Sequence, residues 1–271
     1  MKKIVQYLII GIVFVGSLLS GHNSVYASEI VKIAVIGDST YGIWEVVQEN
    51  LGEEIQIELV DLSDPVNANR ALLEEEVDLA AFQHYAALKQ FNADNDTELT
   101  AVTETFISPM NILSDNIDSL DELQESDEVI IPESPTNRGR ALKVLEHAGL
   151  IEIDADAGQS PEISDIVKND LNLQIKEVDQ ALIMSALQDV AIGLTVANNV
   201  LDAGLDPIDD VIYAIDINPE DQSLEPYFNL IVSRPDNLDN DVFQKIIEAY
   251  RQDNVKEFIL AEYNNAMIPV W

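Results

Sequence analysis

Glu128-Val-Ile-Ile-Pro132 is followed by Pro135-Thr136-Asn137-Arg138-Gly139-Arg140 and then by Ala141-Leu142-Lys143-Val144-Leu145. The first run has the apolar content of a buried strand, and the last has the spacing of an amphipathic helix. The middle run carries the proline and polar residues of a turn that starts a helix. The stretch therefore predicts a strand, a turn and a helix in succession, which is the repeating unit of an α/β fold.

The turn at the start of this helix is also a candidate binding site. Unpaired amides in the first turn of a helix favour an anion, and Thr136 or Asn137 is predicted to cap that end. Arg140 adds a planar fork of donors that fits a carboxylate. We expect this turn to hold the carboxylate of a small ligand. The alternative is a well-capped helix whose two arginines are solvated.

The same alternation of elements runs through the first third of the chain. Strands are predicted at Ile30–Ile36, Ile55–Val60 and Val77–Phe82, with helical patterns between them. Strand and helix in strict alternation predict a parallel sheet covered by helices. Ligands of such sheets lie beyond the carboxyl ends of the strands, so residues just after strands are the candidates for binding.

Three groups of polar and aromatic side chains occupy such positions. Phe82 and His84, with Tyr85, come at the end of the third strand and are predicted to line a pocket. Asn198 and Asn199 follow the predicted strand Val190–Val196, and the sequence leaves open which of them faces the cleft. Asn229 interrupts the apolar strand at Tyr227–Arg234, where its amide would require partners. The alternative for Phe82 and His84 is an ordinary core and helix-start role.

The chain is predicted to cross between two lobes twice. Pro109 interrupts a long extended run, Leu99–Ser114, and a proline there indicates a crossing rather than a central strand. Val211–Ile215 and Tyr227–Arg234 are interpreted as extended segments that return to the first lobe. The predicted division is residues 1–27 as a signal peptide, 28–110 as the first part of lobe 1, 111–210 as lobe 2, and 211–271 as the return to lobe 1.

The first residues have the pattern of a secretory signal peptide. Met1-Lys2-Lys3 precedes an apolar run at Leu8–Leu19, which is shorter than the roughly 20 residues of a membrane span, and Val25-Tyr26-Ala27 is typical of a cleavage site. The mature protein is expected to be exported, as an extracellular or surface-associated protein. The sequence has no cysteine, and His22 follows the Leu-Ser-Gly that would suit a lipidated cysteine, so no thioether lipid anchor is expected.

Charge and motifs narrow the class of function. The chain has 14 Lys+Arg and 50 Asp+Glu, a net charge of −36, which makes nucleic acid and anionic membranes poor partners. It has no Gly-x-Ser-x-Gly or His-Glu-x-x-His motif and no glycine-rich phosphate loop. We therefore predict a binding protein rather than an enzyme, without a cofactor or a metal site.

Several short motifs together resemble the NlpA/MetQ family of substrate-binding proteins over almost the whole mature length. They are Phe82-Gln83-His84, Pro135-Thr136-Asn137-x-Gly139-Arg140-Ala141-Leu142, Ala203-Gly204-Leu205 and Tyr227-x-Asn229-Leu230-Ile231-Val232. The resemblance implies a two-lobed, type II periplasmic-binding-protein-like fold, in which each lobe is a mostly parallel sheet flanked by helices. It further implies an ABC-transporter permease as partner and L-methionine or a related amino acid as ligand.

The resemblance also assigns roles to individual residues. Phe82 and His84 would enclose the ligand side chain, Asn137 and Arg140 would engage its carboxylate, and Asn229 would be a polar anchor. Ala87 and Leu113 stand where family members commonly have aromatic residues. A different amino acid, a short peptide or an organic anion therefore remains an alternative ligand, and a sensory or scaffolding module an alternative role.

Overall fold

The computed structural model describes residues 28–215 and 217–271. The predicted signal peptide, residues 1–27, lies outside the described residues. The strands are β1 (Glu29–Val35), β2 (Ile55–Asp61), β3 (Leu79–His84), β4 (Thr100–Glu104), β5 (Phe106–Ile107), β6 (Met110–Leu113), β7 (Glu128–Pro132), β8 (Glu152–Ile153), β9 (Ile166–Lys168), β10 (Gln174–Val178), β11 (Ile192–Val196), β12 (Tyr213–Ala214), β13 (Asn229–Ser233) and β14 (Ile268–Pro269). The helices are α1 (Tyr41–Leu51), α2 (Pro65–Leu73), α3 (Tyr85–Asn95), α4 (Pro135–His147), α5 (Ile183–Ala186), α6 (Ala197–Asp202), α7 (Asp241–Tyr250) and α8 (Asp253–Glu262).

Each lobe is built on one five-stranded sheet. The strand order is β2-β1-β3-β13-β4 in the first sheet and β10-β7-β11-β6-β12 in the second. In the first sheet only β13 runs against the other four strands, and in the second sheet only β6 does. The prediction of two α/β lobes with mostly parallel sheets is therefore confirmed, and each lobe has one reversed strand at the same place in the order.

Each sheet is buried because helices cover its faces. In the first lobe, β1 contributes Ile33 and Val35 to a cluster with residues of α1, α7 and α8, and Ala34 to a second cluster on the other face with residues of α2. In the second lobe, residues of β7 and β11 pack against Leu142 and Leu145 of α4. Strands covered on both faces read as continuous apolar runs, which is why these segments were recognisable in the sequence.

Two crossings join the lobes. The first lies at Ser108 and Pro109, between β5 and β6, close to the predicted boundary at residue 110. The second follows β12 and precedes β13. The prediction that residues 211–215 return to the first lobe is wrong for β12, which pairs with β6 in the second sheet. The alternating apolar pattern there corresponds to a short strand at the edge of the second sheet. The pattern does not show which of the two sheets this strand joins.

Within residues 28–215 and 217–271, no helix has the length and apolar content needed to cross a lipid bilayer.

Candidate ligand-binding site between the lobes

His84 stands at the boundary of the two lobes, at the end of β3 and directly before α3. Its Nδ1 accepts a hydrogen bond from the Ala87 amide at 3.1 Å, which caps α3. An accepting Nδ1 carries no proton, so the neutral ring has its proton on Nε2. That Nε2–H donates to Oδ1 of Asn137 in α4, 3.2 Å away. The first lobe thereby fixes the tautomer of a side chain that bonds the second lobe.

Asn137 continues this chain of hydrogen bonds into the second lobe. Its Nδ2 donates to Oε1 of Gln180 at 2.8 Å, which fits an amide whose Oδ1 already accepts from His84. Nδ2 of Asn199 donates to Oγ1 of Thr195 at 2.8 Å and to the backbone carbonyl of Gln180 at 3.4 Å. Asn199 therefore supports the second-lobe side of the network.

The environment of His84 keeps it neutral. The ring is buried, and burial together with the charge of Arg140 lowers the pKa of His84 to about 4. Tyr227 packs edge-on against it, with ring centroids 5.7 Å apart. A neutral imidazole is the form that both of its hydrogen bonds require.

Arg140 is a buried cation without an acidic partner among the described residues. One Nη donates to the carbonyl of Ser108 at the first crossing, and the guanidinium carbon lies 4.7 Å from the ring centroid of Tyr227. Burial lowers its pKa to about 10, so it remains charged at neutral pH. A carbonyl and an aromatic face offset only part of the cost of burying a charge. Its remaining donors suit an incoming carboxylate.

The helix that presents these groups starts differently from the prediction. Asn137 and Arg140 are three residues apart in α4 and so share one of its faces. The predicted cap at Thr136 or Asn137 is wrong: α4 starts at Pro135, with Ser134 before it, and no side chain caps it. Proline is well suited to the first helical position, which moves the start of the helix upstream.

Asn198 occupies a third part of the interface, in the first turn of α6. Its Oδ1 accepts from Oγ of Ser108 and its Nδ2 donates to Oγ of Ser39, both at 3.4 Å. Ser39 lies in the first-lobe turn after β1, and its amide donates to Oδ1 of Asp202 at 2.8 Å. Of the two adjacent asparagines, Asn198 is therefore the one that faces the other lobe.

The other predicted residues are placed less centrally. Phe82 is half-buried and packs with first-lobe apolar residues. The Tyr85 hydroxyl donates to Oε1 of Glu104 at 3.0 Å, and burial and this carboxylate raise the pKa of Tyr85 to about 12. Asn229 pairs with His84 between β13 and β3, and no side-chain bond joins it to another described residue. The structure thus brings together His84, Asn137 and Arg140, and it places Tyr85 to one side.

Four contact residues were not predicted. Tyr227 touches both His84 and Arg140, Ser108 contacts Arg140 and Asn198, and Gln180 and Ser39 bond the asparagines. Tyr227 could have been found from its place two residues before Asn229. Nothing in the sequence distinguishes Ser39, Ser108 or Gln180 from other polar loop residues. Among the described residues, no group of three or more His, Asp or Glu side chains is arranged to hold a metal.

Two α/β lobes joined by two crossings, with a buried cation and amide side chains in the gap between them, define a two-lobed substrate-binding protein. The chain belongs to the NlpA lipoprotein family, whose sequence profile matches residues 31–271. The resemblance found in the motifs is thereby confirmed.

Individual relatives agree with this membership. The D-methionine-binding lipoprotein MetQ of Escherichia coli K12 is 36% identical over 245 residues, which cover 89% of this chain and 88% of that protein. Among solved structures, a nutrient-binding protein from Burkholderia cenocepacia bound to methionine is 29% identical with a TM-score of 0.82, covering 89% of this chain and 100% of that one. Protein PG110 from Staphylococcus aureus is 32% identical with a TM-score of 0.84, covering 89% and 94%.

The low pKa of His84 predicts a pH dependence of stability. Because the unfolded histidine takes up a proton near pH 6.5 and the folded one only near pH 4, the free energy of unfolding should fall as the pH drops through this window. The loss from this residue should reach about 2 kcal/mol at pH 5. Urea unfolding at pH 7 and pH 5 would measure it as the difference between the native chain and His84→Gln. A His84 ring proton resonance that titrates near the ordinary histidine value would contradict the assignment.

Gly37 is predicted to be required for contact between the lobes. Its φ is +71°, and a Cβ added there would overlap the carboxylate of Asp202 in α6. Gly37→Ala should displace that carboxylate and free the Ser39 amide, so hydrogen exchange at Ser39 should accelerate. Gly204→Ala is the matched control, because Gly204 has a φ of +77° but nothing within 4 Å of its added Cβ. Equal exchange at Ser39 in both variants would show that the contact does not hold the lobes.

Proposed function

We propose that this chain binds methionine or a closely related amino acid in the gap between its lobes, as the extracytoplasmic binding protein of an ABC importer. The observation that carries the proposal is Arg140, a buried guanidinium whose neighbours in the described part of the chain are a carbonyl and an aromatic ring rather than a carboxylate. The carboxylate of an amino acid supplies the missing anion. The names of relatives that bind methionine support the choice of ligand.

The surrounding residues suit the rest of a zwitterion. Asn198 and Asn229 offer amide oxygens to the ligand's ammonium group. Phe82 offers an aromatic surface to a thioether, a contact worth about 0.3–1.5 kcal/mol. His84 and Asn137 join the two lobes beside this space, so their hydrogen bond adds to the closed arrangement that a ligand would favour.

Delivery to a permease completes the proposal. Relatives include an ABC-transporter periplasmic substrate-binding protein from Coxiella burnetii, 26% identical with a TM-score of 0.81, and the binding protein of a methionine transporter from Streptococcus pneumoniae, 29% identical with a TM-score of 0.82. In this role the chain acts outside the cytoplasm and performs no chemistry on its ligand.

A ligand screen tests the proposal directly. Thermal unfolding should be followed with each of the common L-amino acids, with D-methionine and with short methionine peptides. A ligand at 100 times its dissociation constant stabilises the folded state by about 2.7 kcal/mol, so the true ligand should give a clear rise in Tm. Methionine should give the largest rise. A rise with a different amino acid would keep the mechanism and correct the ligand, and no rise with any compound would remove the proposal.

Replacing the fork of Arg140 should weaken ligand binding without removing the charge. Arg140→Lys loses the paired donors that fit a carboxylate, and a charged hydrogen bond of this kind is worth about 1.5–3 kcal/mol, so the dissociation constant should rise about 10- to 100-fold. Calorimetric titration with methionine measures it. Arg138→Lys is the control on the same helix, since Arg138 pairs with Glu162 and Glu177 instead. Equal affinities of both variants would exclude Arg140 from the site.

A further inference from the structure

A cavity lies beside Arg140, at the two crossings. Its volume is about 230 Å³, and it is lined by residues of α4 and of both segments that join the lobes. The lining residues are Ile107, Pro109, Met110, Arg140, Lys143, Val144, Gln159, Ile215, Ile217, Ser223, Leu224 and Tyr227. Of the eight residues predicted for the amino-acid site, only Arg140 lines it. It therefore shares Arg140 and the contact residue Tyr227 with that site, and its other lining residues are different.

The chemistry of its lining differs from the rest of the molecule. Among the described residues that line it, the wall is mainly apolar and has two cations, Arg140 and Lys143, and no carboxylate, although the chain has 50 acidic and only 14 basic residues. Lys143 is half-buried and donates from Nζ to Oε1 of Gln159 at 3.1 Å, and no ion pair joins it to another described residue. The carboxylate that acts on it from nearby belongs to Glu146, which lies outside the lining. An apolar wall with an excess of positive charge suits an amphipathic anion.

The volume limits the size of such an anion. A water molecule takes roughly 30 Å³ of the liquid, so the cavity offers room for about seven or eight non-hydrogen atoms. The exposed side chains of Gln159 and Ser223 lie at its rim, which gives a path from solvent. We propose that this cavity binds a short-chain aliphatic monocarboxylate, with the carboxylate at Lys143 and Arg140 and the chain against Ile107, Leu224 and their neighbours.

Occupancy of this cavity should oppose binding in the cleft. If Arg140 holds the amino acid's carboxylate, as proposed above, a second carboxylate in this cavity competes for the same guanidinium. Coupling between two sites is reciprocal, so each ligand should weaken the other by the same factor. Because both crossings line the cavity, its occupant also contacts the segments about which the lobes would move.

Hexanoate is the probe, and it has eight non-hydrogen atoms. Calorimetric titration of the full mature chain should show hexanoate binding with a dissociation constant on the order of 1 mM or tighter. Hexan-1-ol should bind more weakly and hexylamine not at all, because they lack the anion. Methionine added at saturation should weaken hexanoate binding. If hexanoate gives no heat and no change in Tm, the cavity is not a site for this class of ligand.

Variants separate this site from the cleft. Lys143→Gln should weaken hexanoate about tenfold while leaving methionine affinity unchanged, and Leu224→Phe, which fills part of the cavity, should weaken it as well. Lys89→Gln is the matched control, since Lys89 is exposed and does not line the cavity. Hexanoate binding that survives Lys143→Gln but is lost in Asn137→Ala would place hexanoate in the cleft and overturn the inference. Hexanoate binding without any methionine binding would support it and contradict only the proposed amino-acid ligand.

Discussion

A buried guanidinium with no carboxylate beside it among residues 28–215 and 217–271 is the constraint around which this molecule is arranged. Moving a charge out of water is costly, and Arg140 recovers part of that cost from the Ser108 carbonyl and the face of Tyr227. Both of these partners belong to segments that cross between the lobes. The charge therefore stays where the two lobes and the two crossings meet, and an anionic ligand completes an environment that the protein leaves incomplete.

The topology explains why the polar groups converge there. The two sheets have equivalent strand orders with one reversed strand each, so β3 and β11 hold the same position in their lobes. His84 stands at the end of β3, and Asn198 follows β11 in α6. Because the carboxyl ends of parallel strands form one edge of a sheet, two sheets facing each other at those edges bring both sets of side chains into one gap.

The sequence predicted the two α/β lobes and the family, and it selected His84, Asn137 and Arg140, which the structure brings together, because strand ends and a helix start are local patterns. It could not separate Asn198 from Asn199, since adjacent residues of a helix point about 100° apart and only tertiary contacts show which one faces the gap. Tyr227 escaped selection because an aromatic residue beside an apolar strand is typical of a core. The sheet to which β12 belongs depends on pairing with a distant strand, which no local pattern contains.

The excess of acidic over basic residues makes Arg140, the cation shared by the cleft and the cavity, important for binding. With a net charge of −36, the surface field opposes the approach of anions and favours cations. A zwitterion carries no net charge and is not repelled, and within the gap Arg140 supplies a local positive charge in a low-dielectric setting where it acts strongly. A monocarboxylate has a net negative charge and is repelled by the acidic surface of the protein. A cavity that binds a monocarboxylate therefore needs more than a single cation. The cavity meets that need because Lys143 and Arg140 both line it, whereas the cleft for an amino acid requires Arg140 alone.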